Sequence, residues 1–157
     1  MELEPFTEIS RATLRTFDVA QALLPCARRY LDSWPHSAAL SDLESLIDSG
    51  EDYVSTSPDG VNNLETVDDV IYALQEFCPP YCTIGMHEGD GSLLGVWPDV
   101  ENAIECEPNF SDGAEIPTDY VGLAIVVNCH GNVTLLNCLG PDESGNYCQT
   151  VEIWACV

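Results

Sequence analysis

The sequence predicts an α+β fold in which three N-terminal helices pack on a mostly antiparallel sheet of about five strands. Apolar residues recur at helical spacing through residues 1–78, whereas residues 79–157 carry short apolar runs of strand type. Turns bearing Gly and Asn separate those runs, and "PP" at 79–80 marks the change from one regime to the other. With 157 residues, 45% of them apolar, the chain can bury a core of its own as a single domain spanning 1–157.

The first helix is expected in "TEISRATLRTFDVAQALL", where Ile9, Ala12, Thr16, Phe17, Ala20, Leu23 and Leu24 share one face. Pro25 ends or kinks it, or opens a continuation through Tyr30 and Trp34. "SDLESLIDSG" carries a capping box, Ser41 with Glu44, a terminal Gly50, and a buried face of Leu40, Leu43, Leu46 and Ile47. The third helix runs from Leu64 to Phe77 and buries Leu64, Val67, Val70, Ile71, Leu74 and Phe77 before Pro79 and Pro80 stop it.

Strands follow. "YCTIGMH" and "SLLGVW" flank a four-residue hairpin loop, "EGDG". Residues 99–119 read as a long acidic connection with room for a short helix or strand. "YVGLAIVVNC" is apolar on both alternations, as in a central strand covered on both faces. "HGN" turns it into "VTLLNCL", and "GPDESGN" turns that into "YCQTVEIWACV", with Cys138 opposite Cys148.

Charge is the outlier. Twenty-seven acids face four arginines and no lysine, for a formal net charge of −23. Nineteen of the acids lie in residues 37–119, which hold no Lys or Arg, while residues 120–157 hold only Asp142, Glu143 and Glu152. Phosphate contacts need Lys and Arg, so direct binding to nucleic acid or to an anionic membrane is excluded. The expected partner is basic. No apolar run reaches the 18 residues of a membrane span, and "MELEPFTEIS" lacks the basic-then-apolar plan of an export signal. The expected location is cytoplasmic, where the eight cysteines remain thiols and the acceptor patterns "NVT" and "NFS" carry no glycan.

Three local patterns raise metal or catalytic chemistry. "HEGDG" offers His87, Glu88 and Asp90, yet a calcium loop needs more oxygen ligands at fixed spacing. The ordinary reading is a hairpin tip whose glycines take positive φ and whose acids are solvated. "NCHGN" places His130 at a second tip, and the candidate zinc ligands are His87 and His130, joined by Cys129 or Cys82. "CPPYC" spaces Cys78 and Cys82 within the range of a zinc pair, but no second pair follows. No local Cys–His signature of a nucleophile is present, so neither enzymatic activity nor a cofactor is expected.

In "PPYCTIGMHEGDGSLLGVWP" and "VVNCHGNVTL" the chain resembles small acidic proteins encoded by phages and plasmids. That group is marked by a helix ending in Pro-Pro, a GxHxGDGxxxGxW hairpin and a C-terminal HGNVTL hairpin. The resemblance covers residues 64–157 and implies action against host defences rather than a defined reaction. Cys129 stands where the group has an acid before His-Gly, which weakens any metal or acid–base role there.

Two readings of the acidity follow. In the first, the protein is a DNA-mimic inhibitor in the host cytoplasm, directed at a basic nuclease or CRISPR effector. A domain of this length has a radius of gyration of ~15 Å, hence a span of ~40 Å. Duplex DNA of that length presents on the order of 23 phosphates. The contacting residues are expected to be Asp42, Glu44, Asp48, Glu51, Asp52, Glu65, Asp68, Asp69 and Glu76, with Glu88 and Asp90 at the hairpin tip. In the second, the acids adapt a binding or structural protein to a high-salt cytoplasm, where a Debye length of ~3 Å at 1 M hides self-repulsion.

Overall fold

The computed structural model describes residues 2–11, 15–33, 35–49, 63–111 and 116–156. The architecture is α+β, and the chain divides into two compact units, Met1–Trp97 and Pro98–Val157. Among the described residues there are four helices and two sheets, of three and four strands, in place of one sheet of about five. None of these helices is long and apolar enough to cross a membrane.

In the first unit a short strand, β1 (Glu8–Ser10), precedes three helices, α1 (Thr16–Leu31), α2 (Ser37–Ser49) and α3 (Asn63–Gln75), and a hairpin, β2 (Cys82–His87) and β3 (Asp90–Pro98). Helix α1 buries Val19, Ala20, Leu23, Ala27, Tyr30 and Leu31, α2 buries Leu40, Leu43 and Leu46, and α3 buries Val67, Val70, Ala73 and Leu74. These faces interlock as the helical spacing requires. Each fully buried leucine contributes about 1.5–3 kcal/mol relative to exposure. Pro25 leaves α1 unbroken. The helical bond it forfeits belongs to the carbonyl of Gln21, an exposed residue that water can serve.

Two helix starts differ from expectation. The segment at Ile9 is strand rather than helix, because β3 lies in the middle of its sheet and takes β1 along its second edge, Glu8 against Gly95 and Ser10 against Leu94. Helix α2 opens one turn before the expected capping box. The His36 carbonyl accepts the Leu40 N–H at 3.3 Å, and Ala38, Ala39 and Leu40 extend the helical run backwards. Ser41 is therefore mid-helix, its carbonyl accepting the Ser45 hydroxyl at 2.9 Å, and Glu44 is drawn to Arg28 instead of the backbone. Ala12, Trp34 and Gly50 lie outside the described residues.

The first sheet runs β1-β3-β2. Its hairpin turns on two residues, Glu88 and Gly89, because Asp90 and Gly91 already belong to β3. Neither Gly89 nor Gly91 takes the positive φ expected of a loop glycine. Gly95 is required for a different reason. A Cβ there would sit 2.5 Å from the Trp97 ring and 2.6 Å from the Thr7 carbonyl, so only glycine lets β1 approach β3. Gln75 joins helix to sheet: its amide donates to the Cys82 carbonyl at 2.8 Å and accepts the Ile84 N–H at 3.0 Å.

The second unit holds α4 (Val100–Cys106), β4 (Asn109–Ser111), β5 (Val121–Val127), β6 (Val133–Pro141) and β7 (Cys148–Cys156), with sheet order β4-β5-β6-β7. The acidic connection thus supplies both a helix and a strand. Asp99 caps α4 by accepting the Asn102 N–H at 3.1 Å. Strand β4 runs parallel to β5, and the other pairs are antiparallel. Consecutive Ala124 and Ile125 are both fully buried, so the centre of β5 is covered on both faces. That cover does not reach its start, where Val121 is 70% exposed. Cys138 faces Thr150 rather than Cys148, since an irregularity between Cys138 and Pro141 shifts the register.

Replacing Gln75 by Leu leaves the Cys82 carbonyl and the Ile84 N–H without their partner. Denaturant unfolding should show a loss of about 1–3 kcal/mol, and an unchanged midpoint would contradict the clamp.

Candidate functional site

Helix α3 turns Thr66, Val67, Val70, Ala73 and Leu74 into the core, which leaves Glu65, Asp68, Asp69 and Tyr72 on its outer face with Glu76 just past its end. The spacing i, i+3, i+4, i+7, i+11 keeps all five in one row. At 1.5 Å of rise per residue the row extends ~16 Å, with a carboxylate every ~5.5 Å on average. One strand of duplex DNA carries a phosphate every ~3.4 Å. In the middle of the row Tyr72 is 81% exposed, an aromatic ring among acids. Tyr72 was not among the expected contacts, although its place at i+7 from Glu65 was legible once the helix is drawn as a wheel.

The row keeps its charge because the cations are occupied elsewhere. Arg11 pairs with Glu8, Arg15 lies 3.9 Å from Asp18, Arg28 bonds Glu44 at 2.9 Å, and Arg29 lies over the Tyr30 ring at 5.4 Å. Among the described residues no ion pair involves Asp42, Asp48, Glu65, Asp68 or Asp69. Asp42 and Asp48 are exposed on α2, whereas Glu44 is half-buried and held by Arg28. Glu76 accepts a hydrogen bond from His36 Nε2 at 3.0 Å, and the His36 ring stands edge-on to Phe77 at 5.8 Å. Glu51 and Asp52 lie outside the described residues.

The "HEGDG" hairpin is organised by its own backbone. His87 Nδ1 accepts the Gly89 N–H at 3.0 Å, and its ring meets Trp97 edge-on at 4.7 Å. Trp97 in turn donates to the Gly85 carbonyl at 2.9 Å. Asp90 accepts the Ser92 N–H at 3.0 Å and the Ser92 hydroxyl at 2.7 Å. Those two bonds hold its carboxyl below the usual carboxylate range, with smaller help from His87 and Arg11. Glu88 is exposed at the tip.

At the second tip the ordering residue is Asn128, which the motif reading passed over. Its carboxamide oxygen accepts the N–H groups of His130 at 2.9 Å and Asn132 at 3.0 Å. An Asn closing a turn on its own following backbone is a recurrent loop device. Cys129 and His130 are exposed there, in the second unit, while His87 belongs to the first. Among the described residues no three or more His, Cys, Asp or Glu side chains come together to hold a metal ion. Cys82 is buried, and burial pushes the Cys78 thiol up to about 11, away from the thiolate that zinc would need.

Like charges three and four residues apart destabilise a helix by about 0.2–0.5 kcal/mol per pair. Glu65 forms such pairs with both Asp68 and Asp69. Converting Asp68 and Asp69 together to Asn should therefore raise unfolding stability by about 0.4–1 kcal/mol at low salt. The gain should vanish near ~1 M salt, where screening is complete. A loss of stability at low salt would contradict the absence of cationic partners.

No protein-family model, no curated protein and no solved structure matches the chain.

Proposed function

We propose that the protein is a non-enzymatic DNA mimic that occupies the nucleic-acid channel of a basic host defence protein, a nuclease or CRISPR effector, in the host cytoplasm. The observation that carries this reading is the exposed α3 row, Glu65, Asp68, Asp69 and Glu76 around Tyr72, which among the described residues has no arginine partner and meets one ionisable partner, His36 at Glu76. A carboxylate array on a stiff helix steers a cationic partner from a distance and meets it without reorganising. Tyr72 adds contact area of the kind that dominates protein interfaces, since a tyrosine ring loses little rotamer freedom on binding. Asp42 and Asp48 on α2, and Glu88 and Asp90 at the hairpin tip, extend the same unit's acidic surface. The resemblance of its hairpins to those of small acidic phage and plasmid proteins supports a target among host defences.

One observation favours a second reading, adaptation to a high-salt cytoplasm. The segment Pro98–Val157 holds ten acids and no Lys or Arg, and Glu101 and Glu105 stand exposed on α4. The two readings differ in what α4 does. Competition between this protein and duplex DNA for a panel of basic nucleases and CRISPR effectors separates them.

The mimic displaces DNA, and its affinity falls steeply with salt. A variant with Glu65→Gln, Asp68→Asn, Asp69→Asn and Glu76→Gln should lose the competition. Its log–log salt slope should fall by roughly one unit per carboxylate removed, as for phosphate contacts. A Glu101→Gln, Glu105→Gln variant should compete like the wild type. Equal competition by both variants, or none by the wild type across the panel, would contradict the proposal.

A further inference from the structure

The β6–β7 hairpin holds two thiols that the acidic face does not use. Cys138 on β6 is 0% exposed, and Cys148 on β7 is half-buried. In the ladder Cys138 faces Thr150 and Pro141 faces Cys148, so three steps on β6 answer two on β7. Gly140, at φ +87°, takes up the extra residue in the left-handed conformation that marks a bulge. Because side chains alternate along a strand, Cys148 lies on the same face as Thr150, and therefore as Cys138. The Cys148 thiol is near enough to act on the protonation of Cys138. On the other side of Cys138 the ladder partner is Gly122, which adds no side chain beside the pair.

Cys148 also opens onto a cleft of about 290 Å³, together with Val126, Tyr147 and Thr150. Its Sγ donates to the Tyr120 carbonyl at 3.5 Å. One thiol of the pair is thus reachable from the cleft and the other only through its neighbour. The geometry points to a dithiol modification site, in which a low-molecular-weight disulfide of the glutathione disulfide class oxidises Cys148 and Cys138 to a cross-strand disulfide.

The Cys148 sulfur, losing its proton, attacks one sulfur of the small disulfide and breaks its S–S bond. This forms a mixed disulfide and releases one small thiol, which takes up the proton. The Cys138 sulfur then attacks the Cys148 sulfur, displaces the second small thiol, and surrenders its own proton to it. Two protein thiols are oxidised by two electrons, and one small disulfide is reduced to two thiols. The sulfurs close to the ~2.05 Å of a disulfide. Access from the cleft assigns the first attack to Cys148, while burial, reinforced by the Cys148 thiol beside it, pushes the Cys138 thiol up to about 11.

The test is incubation of the full chain with glutathione disulfide, followed by intact mass and peptide mapping. In the wild type, the Cys138 and Cys148 peptides should appear joined, with two hydrogen atoms lost and no glutathione retained on either. Cys138→Ser should trap glutathione on Cys148, and Cys148→Ser should leave Cys138 unmodified. The six other cysteines, among them exposed Cys106 and Cys129, give adducts that mapping assigns separately. Circular dichroism establishes that each variant folds, and titration of the wild type in glutathione redox buffers reads the same transition without a substitution. Stable glutathione on Cys148 of the wild type, a different partner for Cys148, or reduced thiols at both positions throughout the titration would overturn the assignment.

Discussion

The structure depends on a shortage of cations. Four arginines stand against twenty-seven acids, so ion pairing can account for few of the carboxylates. Three arginines are committed to Glu8, Asp18 and Glu44, and the acids without such partners have to be solvated. Stability must then come from apolar burial and satisfied hydrogen bonds. The helical unit answers with fully buried Leu23, Leu31, Leu43, Val70 and Leu74, and no buried side-chain nitrogen or oxygen among the described residues lacks a partner. A core of this kind tolerates a charged exterior because its main driving force does not depend on the sign of surface charge.

The same constraint shapes α3. Its inner positions are spent on the core, which forces Glu65, Asp68, Asp69 and Tyr72 into one outward row whatever their use. Solvated acids alone would be unremarked on a helix surface. A large aromatic at 81% exposure in the middle of them is a different matter, since water gains nothing from it. The second unit divides its labour in another way. Its described acids lie on α4 and in the loops, apart from Glu152 on β7, while its sheet carries Cys138 and Cys148 on one face beside a bulge.

Much of this was legible in the sequence where a single period dominates. The buried faces of α2 and α3 follow from Leu40, Leu43, Leu46, Val67, Val70 and Leu74 at helical spacing, and the five long strands follow from short apolar runs between turns. What escaped was decided by tertiary pairing. Ile9 fits a helical wheel with Ala20 and Leu23, yet the free edge of β3 claims it for β1. Residues 109–111 carry no strand signal of their own and become β4 by lying along β5. The Ser41–Glu44 capping box lost to the helix-forming Ala38 and Ala39 and to Arg28, none of which a four-residue motif contains. For the candidate site, the acids were visible one by one, but their row, the place of Tyr72 within it, and the removal of Glu44 by Arg28 needed the fold.

The central claim is that the charge serves a partner and not a saline solvent. Thermal unfolding followed by circular dichroism at ~0.1 M and ~2 M potassium chloride, which bracket strong and weak repulsion, tests it most directly. A cooperative transition from a fully folded state at the lower concentration is the predicted result. A chain unfolded at ~0.1 M and rescued at ~2 M would contradict the account, because its acids would then be matched to salt.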